Sequence, residues 1–227
     1  MVNKKTCPLG RGRRALDESM KERRRRDLLV AALRLLERQP YETITMSAVA
    51  AAADVAKGTT YLYFPTREAL FLALLAEHYE AWFDALDAYP GDTAPTAEDW
   101  AGWVAAELSA RPLFLRLVAL LHVVLEANVP VADVLAFKRM LAARVDTTGA
   151  TLDRTLALAP GQGTRLLLWL QATVPGLAQM AAPPPALHQA LRDDAALAGF
   201  LIDFSTELRA LLRALIRGLQ AARETPP

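Results

Sequence analysis

"DVAKGTTYLYFPTREALF", residues 54–71, is a poor piece of helix by composition. It holds a glycine, adjacent threonines, three aromatic side chains within four positions, and a proline. Glycine and threonine are weak helix formers, and proline ends a helix. The residues on either side are helical in pattern. Upstream, Thr45 is placed to cap a short helix with Met46, Val49, Ala50 and Ala53 on one face. Asp54 and Val55 then make a tight turn, because Asp tolerates the left-handed conformation. A second short helix covers about 56–63 and closes at Pro65, and Thr66 caps a longer one from about Arg67 to Ala88, with Leu70, Leu74, Ala81 and Phe83 among its apolar positions. Two short helices across a tight turn describe a helix-turn-helix.

Working towards the N-terminus, a first helix is expected from about Lys21 to Arg38. Leu29, Ala32, Leu33 and Leu36 define its core face, and Pro40 ends it. The N-terminal unit is thus trihelical. The second helix of such a motif enters the major groove, and the odd composition suits that place. Gly58 lets a backbone approach closely. Lys57 reaches a phosphate or a guanine edge, and Thr59 and Thr60 offer short hydroxyls and methyls. Tyr61 and Tyr63 can bond phosphates while their rings pack on the scaffold. Phe64 reads as core.

Charge agrees with this. The chain of 227 residues has a net charge of +1, but residues 1–67 carry 14 Lys and Arg against 7 Asp and Glu, and the remainder carries 12 against 18. A basic end beside an acidic remainder points to a polyanionic partner. Residues 1–20 read as a disordered basic arm. Arg23, Arg24, Arg25 and Arg26 read as phosphate contacts, while for Arg11, Arg13 and Arg14 a solvated tail is as good a reading. The only cysteine, Cys7, excludes a disulfide framework and suits a cytoplasmic location. At 53% hydrophobic residues and a mean hydropathy of +0.15, rich in Leu and Ala, the chain reads as all-α and globular.

The run "TMSAVAAAADVAKGTTYLYFPTREALF", 45–71, closely resembles the DNA-binding signature of the TetR family of bacterial transcriptional regulators. The likeness covers roughly 24–72. It implies an all-α homodimer, with an N-terminal three-helix DNA-binding domain (21–66) and a larger C-terminal ligand-binding and dimerisation domain (67–227). By that resemblance Thr45 and Ser47 sit near the phosphates, and Lys57, Gly58, Thr59, Thr60, Tyr61 and Tyr63 form the recognition surface. Arg67 would clamp a phosphate. Relatives usually carry glycine at the positions of Asp54 and Pro40, both turn-compatible substitutes. The implied partners are a palindromic double-stranded operator and a small-molecule effector that releases it, with the helix starting at Arg67 as the lever between the halves.

Beyond a Pro- and Gly-rich loop at 89–100, helices are expected at about 97–110, 112–127, 131–157, 161–181 and 194–222. The uncharged run from Leu166 to Leu191 is too polar and too interrupted by proline to span a membrane. Apolar stripes in the last two helices suit a dimer interface: Leu166, Leu170, Leu177, Leu197, Leu201, Phe204, Leu208, Leu211 and Leu215. An intrachain core is the competing reading. Pocket candidates are the polar and aromatic residues of the apolar helices: Trp100, Trp103, Phe114, His122, Glu126, Phe137, Met140, Trp169, Gln171 and Thr173, with ordinary packing as the alternative for each. A mostly apolar pocket suits a hydrophobic effector. No metal, cofactor or catalytic constellation is expected, since the histidines are scattered and no nucleophile motif is present. The rival reading is a helical protein that coats DNA without sequence preference.

Overall fold

The computed structural model describes residues 9–90 and 94–224, and among these it holds ten α-helices and no strand. The chain divides into two compact units that meet between Leu74 and Leu75.

The first unit contains α1 (Leu9–Arg38), a 3-10 turn (Tyr41–Thr43), α2 (Met46–Ala52), α3 (Lys57–Thr60) and, as far as Leu74, the start of α4 (Arg67–Asp87). α1 begins well before the expected Lys21, so the arm is helical over its described part. Apolar periodicity gives no hint of this. Residues 9–20 nonetheless hold three Arg and two Leu with Ala15, Glu18 and Met20, residue types that favour helix by propensity alone. Residues 1–8, Cys7 included, lie outside the described residues. Leu28, Leu29, Ala32 and Leu36 of α1 are fully buried, as are Ile44, Val49, Leu70 and Phe71. Each such side chain contributes about 1.5–3 kcal/mol by leaving water.

In the second unit α5 (Ala97–Ser109) opens with a capping box between Thr96 and Asp99. α6 (Pro112–Leu120) runs into a π turn at Leu121–Leu125 and a 3-10 turn at Glu126–Asn128. α7 (Val131–Thr155) and α8 (Gln162–Ala181) lie against one another through glycines. A Cβ on Gly163 would stand 2.2 Å from the Gly149 carbonyl oxygen, closer than any side chain allows. The Asp153 carboxylate accepts the N–H groups of Gly161 (2.7 Å) and Gly163 (2.6 Å), capping the start of α8. Two exposed pieces follow, α9 (Pro185–Asp193) and a 3-10 turn (Ala195–Phe200), before α10 (Phe204–Glu224), which packs on α5 and α8.

The expected single helix over 194–222 is therefore two elements. Asp194 caps the 3-10 turn through the Ala196 N–H, and Asp203 accepts the Thr206 N–H at 2.8 Å to start α10 afresh. Leu197 and Leu201 are consequently not on the helix that carries Leu208, Leu211 and Leu215. Leu166, Leu170 and Leu208 are at most 1% exposed within the single chain, so they are core and not available to a partner. The buried stripe of α10 is Leu208, Leu212, Ile216 and Leu219. Phe204, Leu211, Leu215 and, on α8, Leu177 remain half-buried. Among the described residues no single helix is long and apolar enough to cross a membrane.

Candidate functional site

The helix-turn-helix is built from small local bonds. Thr45 Oγ1 accepts the Ala48 N–H at 3.1 Å and starts α2. Asp54 adopts a left-handed φ of 53°, and the Val55 N–H returns to the Ala50 carbonyl at 3.0 Å, which turns the chain between α2 and α3. That conformation favours glycine and tolerates Asp. α3 is a single regular turn. It is extended by N–H bonds from Leu62 to Thr59 and from Tyr63 and Phe64 to Thr60, so the expected helix over 56–63 tightens beyond Thr60.

Which side chains face out follows from that turn. Lys57, Gly58, Tyr61 and Leu62 are exposed, Tyr61 by 47% and Leu62 by 79%. Thr59 and Tyr63 are half-buried. A Cβ built on Gly58 meets nothing within 4 Å, and its φ is ordinary, so the protein itself has no need of a glycine there. Thr60 is different. It is fully buried, and its Oγ1 donates to the Lys57 carbonyl at 2.7 Å. It anchors the turn and does not belong to the reading surface.

Arg67 also departs from expectation. Its Nη1 donates to the Ile44 carbonyl at 2.9 Å, and Nε and Nη2 donate to Glu68 Oε1 at 3.1 and 2.9 Å. The guanidinium lies 4.4 Å from the centre of the Tyr41 ring. It clamps the 41–44 turn to the start of α4, and most of its donors are used before any phosphate arrives. Glu68 also accepts the Tyr41 hydroxyl at 3.0 Å. Burial works to raise the Glu68 pKa, but its own backbone N–H, Arg67 and Tyr41 together hold it below the usual value. Burial, and then the Glu68 charge, push the Tyr41 hydroxyl up.

Thr45, Ser47, Lys57 and Tyr61 surround one open hollow of about 590 Å³. Four positions that the sequence spreads over 17 residues thus share one concavity. Arg23, Arg24 and Arg26 are exposed on α1. Arg25 instead lies 5.3 Å from the centre of the Phe64 ring and pairs with Glu22 at 3.8 Å. The sequence reading missed Leu62, whose apolar exposure next to two tyrosines suits contact with a thymine methyl.

The second unit holds a small cavity of about 20 Å³, space for roughly one water. Of the pocket candidates Phe114 and Gln171 line it; its other aromatic walls are Tyr79, Trp82 and Phe83 of α4, which the sequence reading did not select. Their spacing of three and four on one helix was the available signal. Phe137 is buried edge-on to Tyr79 at 5.9 Å, and Trp100 is fully buried away from the lining. Trp103 stacks edge-on to Tyr89 at 5.1 Å, Arg165 covers Trp169 at 4.8 Å, and Met140 is half-buried; none of these three lines the cavity. Thr173 donates to the Trp169 carbonyl at 2.8 Å. His122 points outward and pairs with Glu126 at 3.1 Å, and Glu126 also binds Lys138. That pair is a surface ion network and not a pocket floor.

Residues 28–74 match the family described as bacterial regulatory proteins, tetR family, and residues 76–223 match the tetracyclin repressor-like C-terminal domain. The HTH-type transcriptional repressor KstR of Rhodococcus jostii is 47% identical over 62 residues, 27% of this chain and 29% of that protein. KstR of Mycobacterium tuberculosis is 40% identical over 62 residues, 27% of this chain and 28% of its own length. The chain therefore spans less than a third of the curated relatives it matches. Two solved structures share the fold. A possible TetR family regulator from Streptomyces coelicolor has a TM-score of 0.56 at 22% identity, over 87% of this chain and 99% of that one. FadR from Bacillus subtilis in complex with stearoyl-CoA has a TM-score of 0.53 at 17% identity, over 85% and 97%.

Proposed function

The chain belongs to the TetR family of DNA-binding transcriptional regulators, and we propose that it is a homodimeric repressor, released from a palindromic operator by a small, largely hydrophobic effector. The observation that carries the reading is the exposed edge of α3, with open space where a Gly58 side chain would stand and Lys57 and Tyr61 sharing a hollow with Thr45 and Ser47. Lys57, Thr59, Tyr61 and Leu62 read bases or the nearest phosphates, and Arg23, Arg24 and Arg26 follow the backbone. The KstR proteins, repressors by name, are similar over 62 residues of the chain.

Dimerisation is supported by what the single chain leaves bare. Leu168, Ala172, Gly176 and Met180 recur every fourth residue on the exposed or outer side of α8, and Ala210, Ala214 and Gly218 do so on α10. Neither row carries a charge. α9 and the following 3-10 turn bury no residue, yet they expose Leu187, Leu197 and Phe200. Helices this short hold their shape in water only when something covers their apolar face. A palindrome is read by two recognition segments about one helical turn of DNA apart, and a second copy supplies the second of them.

Coupling needs an effector that binds the two states unequally. α4 is one continuous helix, with Arg67 in the first unit and Tyr79, Trp82 and Phe83 in the second, which makes it the natural lever. The test is binding to the DNA upstream of the gene against scrambled DNA of equal length, near 0.15 M salt. A preference of about a thousandfold, lost in Lys57→Ala, is expected. Equal affinity with a steep salt slope would replace this reading with that of a non-specific DNA-coating protein.

A further inference from the structure

Four aromatic rings stand in the wall of the second unit's cavity. Tyr79 stands at 87° to Phe114, centroids 5.0 Å apart, and Trp82 lies 5.9 Å from Phe114. Trp82 is 6% exposed, and its indole Nε1–H has no hydrogen-bond partner. A buried donor left unpaired costs about 1–3 kcal/mol, so it is a place where a bound acceptor gains. The lining contains no Lys, Arg, Asp or Glu. An ion placed there would be desolvated without compensation.

Two of the walls are interrupted beside the cavity. Pro175 lies inside α8, directly after the lining residue Val174, and has no N–H to offer the carbonyl of Gln171, itself a lining residue. α6, which contributes Phe114 and Val118, breaks into the π turn at Leu121. Such turns concentrate at functional sites. Ligand pockets are commonly several hundred Å³, far above the present 20 Å³, so binding must displace a wall. These two weakened helices are the ones able to move.

We propose that this cavity is the effector site, and that it takes a neutral, flat, ring-bearing molecule carrying a carbonyl or similar acceptor that receives the Trp82 Nε1–H. The proposal rests on the repressor reading for the word effector, and on the cavity alone for the ligand chemistry. The open groove of about 670 Å³ along α6, the end of α8 and the start of α10 is a different kind of surface, whose lining includes the charged Arg116 and Asp203.

Acetophenone, ethylbenzene and benzoate serve as probes of similar size: an acceptor-bearing ring, the same ring without an acceptor, and an anion. Nitrogen–proton NMR of the full chain follows the four indole N–H signals, with Trp82 identified by its loss in Trp82→Phe. Acetophenone is expected to move the Trp82 signal downfield in a saturable way, whereas ethylbenzene binds without that shift and benzoate does not bind. Trp82→Phe should weaken acetophenone about tenfold, the worth of one hydrogen bond, and leave ethylbenzene within about twofold. The wild-type signal needs no variant to fold. An unmoved Trp82 signal at saturating acetophenone, or equal weakening of both neutral probes in Trp82→Phe, overturns the proposal. DNA release is read in parallel. Binding at Trp82 without release keeps the cavity chemistry and rejects its role as effector site, whereas release without a Trp82 shift places the effector elsewhere and refutes the inference.

Discussion

Gly58→Ala separates the demands of the fold from those of DNA. The added methyl meets no protein atom within 4 Å, and the backbone angle suits any residue. Inside a helix Ala is favoured over Gly by about 1 kcal/mol; in a helix of one turn about half of that is realistic. For a chain of this size the change is worth a rise of about 1–2 °C in melting temperature. If α3 lies against DNA, the same methyl enters a close-packed interface, where overpacking costs about 1–3 kcal/mol, or roughly 5- to 150-fold in affinity. Calorimetric melting and fluorescence anisotropy on operator DNA read the two quantities separately. The salt slope should be unchanged, because no cation is lost. A more stable protein with weakened operator binding is the expected pair. Undiminished affinity would refute the placement of Gly58 at the interface, and a lowered melting temperature would refute the account of its local geometry.

Thr60→Val, which keeps the volume but loses the 2.7 Å bond to the Lys57 carbonyl, should cost about 1 kcal/mol of stability and leave operator preference intact; Thr59→Ala should change preference in binding to base-substituted operators. Arg67→Lys cannot reproduce the fork onto Ile44 and Glu68, so melting should fall by the equivalent of about 1–3 kcal/mol while the salt slope of DNA binding stays as it was; a slope reduced by about one would return Arg67 to the phosphates. Gly163→Ala forces a Cβ against the Gly149 carbonyl, where backbone must shift, and should lower melting by on the order of 10 °C. His78 is stacked on Phe114, and burial, then the charge of Arg111, lower its pKa below 6.5. The unfolded chain therefore takes up that proton first, and stability should decline as pH falls below about 6.5. His78→Phe should flatten this decline in melting curves between pH 7.5 and 5.5.

The first unit was legible because its signals are local. Thr45, Asp54, Pro40 and Thr66 each act within a few residues of their own position, and caps and turns can be read that way. The start of α1 was not, because a charged stretch has propensity but no periodicity. The fates of Thr60 and Arg67 were hidden for a further reason. Each side chain chooses between solvent and a backbone carbonyl, and the carbonyl of Ile44 comes within reach of Arg67 only through the fold. The cavity failed in the same way. Three of its four aromatic walls belong to α4, whereas the expected pocket residues lie between α5 and α8.

A four-residue helix has little to hold it, so the recognition segment must be anchored from within its own sequence. Thr60 and Phe64, four apart, are buried, the first tied to Lys57 and the second covered by Arg25. Lys57 and Tyr61, also four apart, are exposed together with their neighbours Gly58 and Leu62. Over residues 57–64 two buried anchors therefore alternate with two pairs of exposed residues. This arrangement explains the composition that made the stretch look unlike helix. The anchors fix the backbone by burial and one side-chain bond, so the reading positions need not favour helix themselves. Gly58, Tyr61 and Leu62, which we propose as DNA contacts, are exposed and free to vary, whereas Thr60 and Phe64 are held by the fold.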